Sequence, residues 1–358
     1  MATEINGKND KDSLAESVPV GEPAQEISLG KRFFNLKTAA SFLIAFAILG
    51  FLVTKLDIDT SAIWKSVQQS NPFLYALSFV VYYSTFIMRG GRWQVLLENV
   101  GFRKAKGIRL PSMWGLGQII FLSWFANCVV PAKLGDAYRA YLLKKDANVG
   151  FSKTIGTILA ERIIDMIILF VLLAGAALLV IRGKNSGTAV SVMEVGLGFL
   201  ALLIVGLVGM KLFSGTIQRL IPHRFRPYYD HFVAGTIGSF QRLPRLAIVT
   251  IVIWLFEAWR LLLVTQSLGI TIALSLVIFV ALAHSLLTAI PFTPGGLGLA
   301  EAGMVGLLMI AVTKESAISI ALMDRVVSYW SILVFGGVLL VISWRRRPAA
   351  EPDPAGSQ

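Results

Sequence analysis

The sequence predicts an all-α, polytopic membrane protein with about eight full transmembrane helices and two short broken or re-entrant helices, organised as two internal, inverted repeats. Three observations carry this. Long stretches lack any Asp, Glu, Lys or Arg: Thr38–Thr54, Pro72–Met88, Leu110–Ala132, Leu261–Ala300 and Val326–Trp344. Basic residues instead gather in a few connections. A Pro–Leu–Gly break followed by an acid–Arg pair occurs twice in the chain. Composition agrees, because soluble domains run at about 25% charged and roughly 45–50% apolar residues. This chain is 15% charged and 55% apolar, with a mean hydropathy of +0.70.

Residues 1–30 are polar, mixed in charge and poor in aromatics, which reads as a disordered tail. They contain neither an early apolar core nor a small-residue cleavage site, so they do not read as a signal peptide. The apolar or mixed elements then run 38–55, 72–98, 110–130, 132–146, 152–181, 190–212, 245–268, 270–290, 297–313 and 315–344. The first follows Lys31, Arg32 and Lys37 and looks like an uncleaved anchor. Elements 132–146 and 297–313 are the short ones, able either to cross or to re-enter.

Basic clusters set the orientation. Arg89, Arg92, Arg103, Lys104, Lys106 and Arg109 form one; Lys211, Arg219, Arg224, Arg226, Arg242 and Arg245 another; Arg345–Arg347 close the last span. If all ten elements cross, starting inside, every cluster falls on the cytoplasmic side with both termini. The net charge of +12 is accounted for in this way. Nucleic acid is not an expected partner, because no aromatic–basic interleaving or zinc-finger spacing is present.

The repeat is read at an offset of 163 positions: Pro131 with Pro294, Leu134 with Leu297, Gly135 with Gly298, and Glu161-Arg162 with Asp324-Arg325. A looser echo at an offset of 168 matches Arg92 with Arg260. The expected organisation is membrane repeat 1 over 31–213, a basic amphipathic cytoplasmic linker over 214–244, membrane repeat 2 over 245–344 and a C-terminal tail over 345–358. With five elements per copy the second enters the membrane inverted. With four, if the short elements do not cross, the copies run parallel.

Candidate functional residues follow from the breaks and from the charges inside the spans. Asn127 to Asp136 ends an apolar run through Pro131, Lys133 and Gly135, after which Ala137–Leu143, carrying Arg139, restarts a helix. The second break holds Pro294, Gly295, Gly296 and Gly298, followed by Glu301. Freed amides at a helix start bind anions; a tight turn between helices explains the same residues without a ligand. Glu161 and Asp165, or Arg162 and Asp165, share a helical face. Glu257 and Arg260 stand three apart, and Asp324-Arg325 lie at a comparable depth in the last element. Arg92 is included with them, whereas Arg89 is read as a cytoplasmic flank. A charge at the bilayer centre costs on the order of 3 kcal/mol on insertion scales, so each must be paired or face a wet cavity. Both a structural ion pair and a polar headgroup cavity satisfy that requirement.

Little else points to chemistry. Cys128, the single cysteine, permits neither an intrachain disulfide nor a cysteine metal cluster. His284 reads as a hydrogen-bonded packing residue. No metal, no cofactor and no catalytic residue is expected, since no metal-ligand spacing, P-loop, nucleophile elbow or dinucleotide fingerprint occurs.

Taken together, Arg92-Trp93-Gln94, Pro131…Leu134-Gly135-Asp136…Arg139, Glu161-Arg162…Asp165, Thr293-Pro294-Gly295-Gly296-Leu297-Gly298…Glu301 and Asp324-Arg325 resemble the flippase-like family typified by the membrane domain of lysylphosphatidylglycerol synthases. The likeness spans about residues 38–344. In bifunctional members an aminoacyl-transfer domain follows the membrane domain, which moves the modified phospholipid between leaflets. This chain stops at Gln358, so the resemblance implies lipid handling in a bacterial cytoplasmic (inner) membrane without lysyl transfer. The implied cargo is a phospholipid, a hopanoid or a polyprenyl-linked lipid, with an envelope-lipid enzyme as a partner. Lys133, Arg139, Arg162 and Arg325 would neutralise phosphate, and Glu161, Asp165, Glu301 and Asp324 would set the arginines or bind a cationic head. The alternatives are a membrane-embedded transferase acting on a lipid-linked substrate and a non-transporting partner of an envelope-lipid enzyme.

Overall fold

The computed structural model describes residues 60–130, 134–181, 221–289 and 293–345, and isolated positions elsewhere. Both tails, Pro131, Lys133 and most of the expected elements 38–55 and 190–212 lie outside the described residues. Every regular element among the described residues is helical. In chain order they are α1 (Thr60–Gln68), α2 (Pro72–Asn99), α3 (Met113–Val129), α4 (Leu134–Ala147), α5 (Phe151–Ile181), α6 (Arg226–Gly238), α7 (Leu243–Ser267), α8 (Leu274–Ala289), α9 (Leu299–Leu308), α10 (Lys314–Arg325) and α11 (Ser331–Arg345). A π turn, Val326–Trp330, joins α10 to α11, so the two form one long apolar rod.

Local chemistry starts these helices where they start. Asn71 Oδ1 accepts hydrogen bonds from the amides of Phe73 and Leu74 at 3.0 and 3.3 Å, and Pro72 occupies the first turn of α2. Ser112 caps α3 through the Gly115 amide, and Thr313 caps α10 through Ser316. Several buried hydroxyls are satisfied by a carbonyl one turn back along the chain: Thr85 donates to the Tyr82 carbonyl, Thr250 to Leu246 and Ser331 to Val327. A helix surrounded by apolar neighbours or lipid has no water to offer those groups, so a backbone carbonyl one turn back is the available acceptor.

Three helices are long and apolar enough to cross a membrane: Phe151–Leu179, Leu243–Ser267 and Lys314–Ser343. Met113–Val129 and Leu274–Thr288 are shorter apolar helices. The chain is thus a multi-pass helical membrane protein. Large apolar side chains stay exposed along these rods, among them Val171, Ile248, Val334 and Val338, as a hydrocarbon surround permits.

The helices pack in two similar series. α2 lies against α3, α3 against α4 and α4 against α5; α7 lies against α8, α8 against α9 and α9 against α10. The series meet along α2 and α7, and each lends a long helix to the other, α5 packing on α8 and α11 on α3. α6 packs on α5 through Gly156 and Gly235, so close that a Cβ on Gly156 would overlap the Phe232 carbonyl oxygen and one on Gly235 that of Lys153.

Candidate functional site

Helical spacing determines what the acid–Arg pair of α5 can reach. Glu161 and Asp165, one turn apart, face α2, where Arg92 donates to both. Arg92 Nη2 lies 2.8 Å from Glu161 Oε1 and 3.0 Å from Asp165 Oδ2, while Nη1 bonds Asp165 Oδ1 and the Thr250 hydroxyl. Glu161 spends its second oxygen on Arg139 of α4, at 2.7 Å. The Arg139 guanidinium stacks 3.8 Å over the Trp93 ring. Arg162 points away from this cluster and binds Asp136 of α4, Nη2 to Oδ1 at 2.8 Å.

The last element repeats the scheme with different acids. Asp324 of α10 accepts from Arg260 of α7, whose Nε is also 3.3 Å from Glu257 Oε2. Glu257 in turn accepts from Arg89 Nη2 at 3.0 Å. Arg325 bonds Glu301 of α9, Nε to Oε1 at 2.6 Å, and donates Nη2 to the Gly295 carbonyl at 3.1 Å. In both places the acid meets an arginine on the central helix, and the following arginine meets an acid on the short helix.

Each short helix is tied back to its break. The Gly135 amide donates to Asn127 Oδ1 at 2.8 Å, and the Gly298 amide donates to Glu301 Oε2 at 2.6 Å. A side chain at Gly135 would overlap the Ser123 carbonyl oxygen. Pro294–Gly296 forms a 3-10 turn in which Gly295 adopts φ +59° and Gly296 φ +74°, the left-handed region that glycine enters at least cost. Pro131 and Lys133, expected at the first break, lie outside the described residues.

Between the two helix series lies a cavity of about 150 Å³. Its charged lining is Arg89, Arg162, Arg260 and Arg325 with Asp165 and Glu257; Asn127 also faces it. Arg92, Arg139, Glu161 and Asp324 are buried behind that lining and hold it, and Asp136 and Glu301 anchor Arg162 and Arg325. Trp254 and Arg89, 7% and 3% exposed, also line the cavity, and their Nε1 and Nε atoms have no hydrogen-bond partner.

Arg89 requires a correction. The expected cytoplasmic flank is a mid-helix residue, because α2 continues to Asn99, and it lies between the rings of Trp124 (4.8 Å) and Trp254 (5.8 Å). A signal was present: the echo that matches Arg92 with Arg260 also sets Arg89 against Glu257, its partner. Sequence reasoning missed the aromatic lining of Tyr82, Trp124, Trp254 and Tyr329, since aromatics are common along these helices. Tyr82 donates to the Ser328 carbonyl and Tyr329 to the Cys128 carbonyl, at 3.1 and 3.0 Å. His284 is the expected packing residue, Nδ1 lying 3.3 Å from the Ala300 carbonyl, and it too borders the cavity.

The family model for the lysylphosphatidylglycerol synthase TM region matches residues 38–336. The UPF0104 membrane protein MJ1078 of Methanocaldococcus jannaschii is 31% identical over 220 residues, covering 61% of this chain and 94% of that protein. The glycosyltransferase AglD of Haloferax volcanii is 26% identical over 339 residues, covering 83% of this chain; the match spans only about half of AglD's length, 53%. The UPF0104 membrane protein PH1989 of Pyrococcus horikoshii is 24% identical over 297 residues, covering 74% of this chain and 85% of that protein.

Proposed function

Because the chain belongs to the lysylphosphatidylglycerol synthase TM-region family, we propose that it is a lipid translocase whose substrate headgroup passes through the cavity between the two helix series. One observation carries the reading. The cavity lining sets four arginines against two carboxylates, and two of its side chains, Trp254 and Arg89, carry a buried N–H that the protein leaves unpartnered. Buried donors without acceptors are costly, and an anionic oxygen supplies what they lack. A phosphate ester has the right charge and acceptor number for that lining. The cavity is also smaller than the usual range for drug-sized ligands, roughly 300–1,000 Å³, which suits a compact head.

The proposed architecture is a pair of inverted repeats of five elements, about eight full spans and two short ones. Its support is the matching neighbour order of the two series, the exchange of α5 and α11, and the equivalent roles of Glu161-Arg162 and Asp324-Arg325. In this scheme Arg162 and Arg325 meet the phosphate, Asn127 and Glu301 hold the hinges, and the breaks at Gly135 and Gly295–Gly298 let the short helices change access. Since no P-loop motif is present in the sequence, net transport draws on an ion gradient or a partner; otherwise the protein equilibrates leaflets. A cytoplasmic membrane is the proposed location. The three relatives described above are archaeal, so they do not favour a bacterial one.

The match to AglD supports a second reading, a membrane module serving glycosyl transfer to a lipid-linked acceptor. Liposomes of phosphatidylethanolamine and phosphatidylglycerol carrying fluorescent phosphatidylglycerol separate the two. Protein-dependent access of dithionite to inner-leaflet probe, slowed by Arg325→Lys and Trp254→Phe, is expected of the translocase. Translocation that ignores both substitutions would falsify the cavity route. Absence of translocation together with a mass-shifted lipid product favours the second reading.

A further inference from the structure

A second concavity, of about 330 Å³, opens on the outside of the bundle between α2, α3 and α11. Its walls are apolar: Tyr83, Phe86, Phe121, Phe335, Val338 and Leu339 shape it, and Gly117 lets α3 lie close against α2 beside it, since a Cβ there would meet the Phe86 carbonyl. Val338 and Phe335 are more than half exposed, so the groove is open to whatever surrounds α11. In a membrane that surround is lipid hydrocarbon.

The groove and the polar cavity are separated by a wall two side chains thick. Phe86 faces the groove and Trp124 the cavity, their rings edge to face at 5.3 Å. Tyr83 faces the groove and Tyr82 the cavity, with ring centroids 5.5 Å apart. Two hydrogen bonds pin this wall to the far helix: Tyr83 to the Ser331 hydroxyl at 2.7 Å, and Tyr82 to the Ser328 carbonyl at 3.1 Å. Ser328 belongs to the π turn, and such turns recur where a helix has been adapted to function. On the corresponding pair of helices, α5 and α8, which pack together, Val277, Val280, Ala281 and Ala176 are buried.

We propose that this groove seats one hydrocarbon chain of the same lipid whose phosphate head occupies the cavity, and that the Tyr82–Tyr83–Phe86–Trp124 wall is its lateral gate. The inference rests on the translocase reading. The occupant follows from the contrast between the two spaces: a donor-rich, cationic cavity and an apolar groove, separated by a two-residue wall, fit the two ends of an amphiphile. The groove contributes guidance more than affinity, because a lipid tail gains little by leaving other tails for leucines and valines. It keeps the tail in hydrocarbon while the head crosses in a polar space.

The test uses the full-length protein in nanodiscs of dioleoyl phosphatidylglycerol, with p-benzoylphenylalanine in place of Val338 or, as a control, of the exposed Val80 on α2. After exchange into detergent, washing and illumination, mass spectrometry reads the lipid adduct. Several-fold more adduct at position 338 than at position 80 is expected; equal yields overturn the proposal. In a second arm Val338→Trp and Gln118→Trp fill the groove from opposite walls, both at exposed positions. Each should slow translocation of fluorescent phosphatidylglycerol several-fold with an unchanged size-exclusion profile, and unchanged rates in both overturn the proposal. If the unaltered protein moves no lipid yet the variant with p-benzoylphenylalanine in place of Val338 gives several-fold more adduct than the Val80 control, the translocase reading fails while the groove stands as a lipid site.

Discussion

Asp165 offers a direct measure of how the internal charges are held. Its hydrogen bonds among the described residues come from Arg92 alone, and its side chain is 3% exposed. Replacing Arg92 by Met keeps the length and apolar bulk of the stem but leaves the Asp165 carboxyl buried without its hydrogen-bond donor. Glu161 is spared, because Arg139 still reaches it at 2.7 Å. Breaking one buried pair in this way costs about 3–5 kcal/mol. Adding Asp165→Asn removes the stranded carboxyl, and an Arg92→Met/Asp165→Asn variant should recover at least about 2 kcal/mol of that loss, since neutral replacement of both partners is often tolerated. The cycle is completed with Asp165→Asn alone, in which Arg92 keeps Glu161 at 2.8 Å. Unfolding by sodium dodecyl sulfate in mixed micelles, followed by tryptophan fluorescence or by proteolysis, reads the four stabilities. A double variant no more stable than Arg92→Met refutes the claim that charge pairing organises the cluster.

Other substitutions separate architecture from substrate contact. Trp254→Phe keeps an aromatic ring near Arg89 but removes the pyrrole part of the indole with an N–H that the protein does not use, so stability should fall by about 1 kcal/mol while lipid translocation slows. Gly295→Ala places a Cβ at φ +59° and against the Tyr329 ring, which should cost at least about 1–2 kcal/mol of backbone strain in the same unfolding assay. Asn127→Ala removes the acceptor for the Gly135 amide and should cost about 1 kcal/mol; hydrogen exchange should speed up at the start of α4 and not at α9, which Glu301 ties down.

Much of this fold was legible because its signals are local. Asn71-Pro72 starts α2 and charge-free runs mark the rods, so 72–98, 152–181 and 245–268 are found as Pro72–Asn99, Phe151–Ile181 and Leu243–Ser267. The two short elements are likewise found, as α4 and α9. What could not be read is what depends on a partner from another part of the chain. Periodicity places Glu161 and Asp165 on one face, but not the Arg92 side chain opposite them or the Trp93 ring over Arg139. Arg92 and Arg162 look equivalent in sequence, yet one is enclosed behind the lining and the other is 30% exposed and faces the cavity. The π turn at Val326–Trp330 has no local signature, since its first residues match the regular helix at Ile163-Ile164.

The pairing pattern bears on how such a site can exist in a membrane at all. Among the described residues the cluster sets Arg89, Arg92, Arg139, Arg162, Arg260 and Arg325 against Asp136, Glu161, Asp165, Glu257, Glu301 and Asp324, so it carries no net formal charge. Insertion therefore does not strand an ion in hydrocarbon, because each guanidinium enters the fold with a carboxylate beside it. The neutrality is not spread evenly. At the cavity surface guanidinium outnumbers carboxylate, and the compensating acids Asp136, Glu161, Glu301 and Asp324 sit outside the lining. A phosphate entering the cavity meets the front of this double layer and an ammonium is disfavoured by it, although the cluster as a whole is neutral. On the proposed reading, the two copies of the acid–Arg pair serve this end: one member of each pair fixes a central arginine, and the other is left facing the substrate.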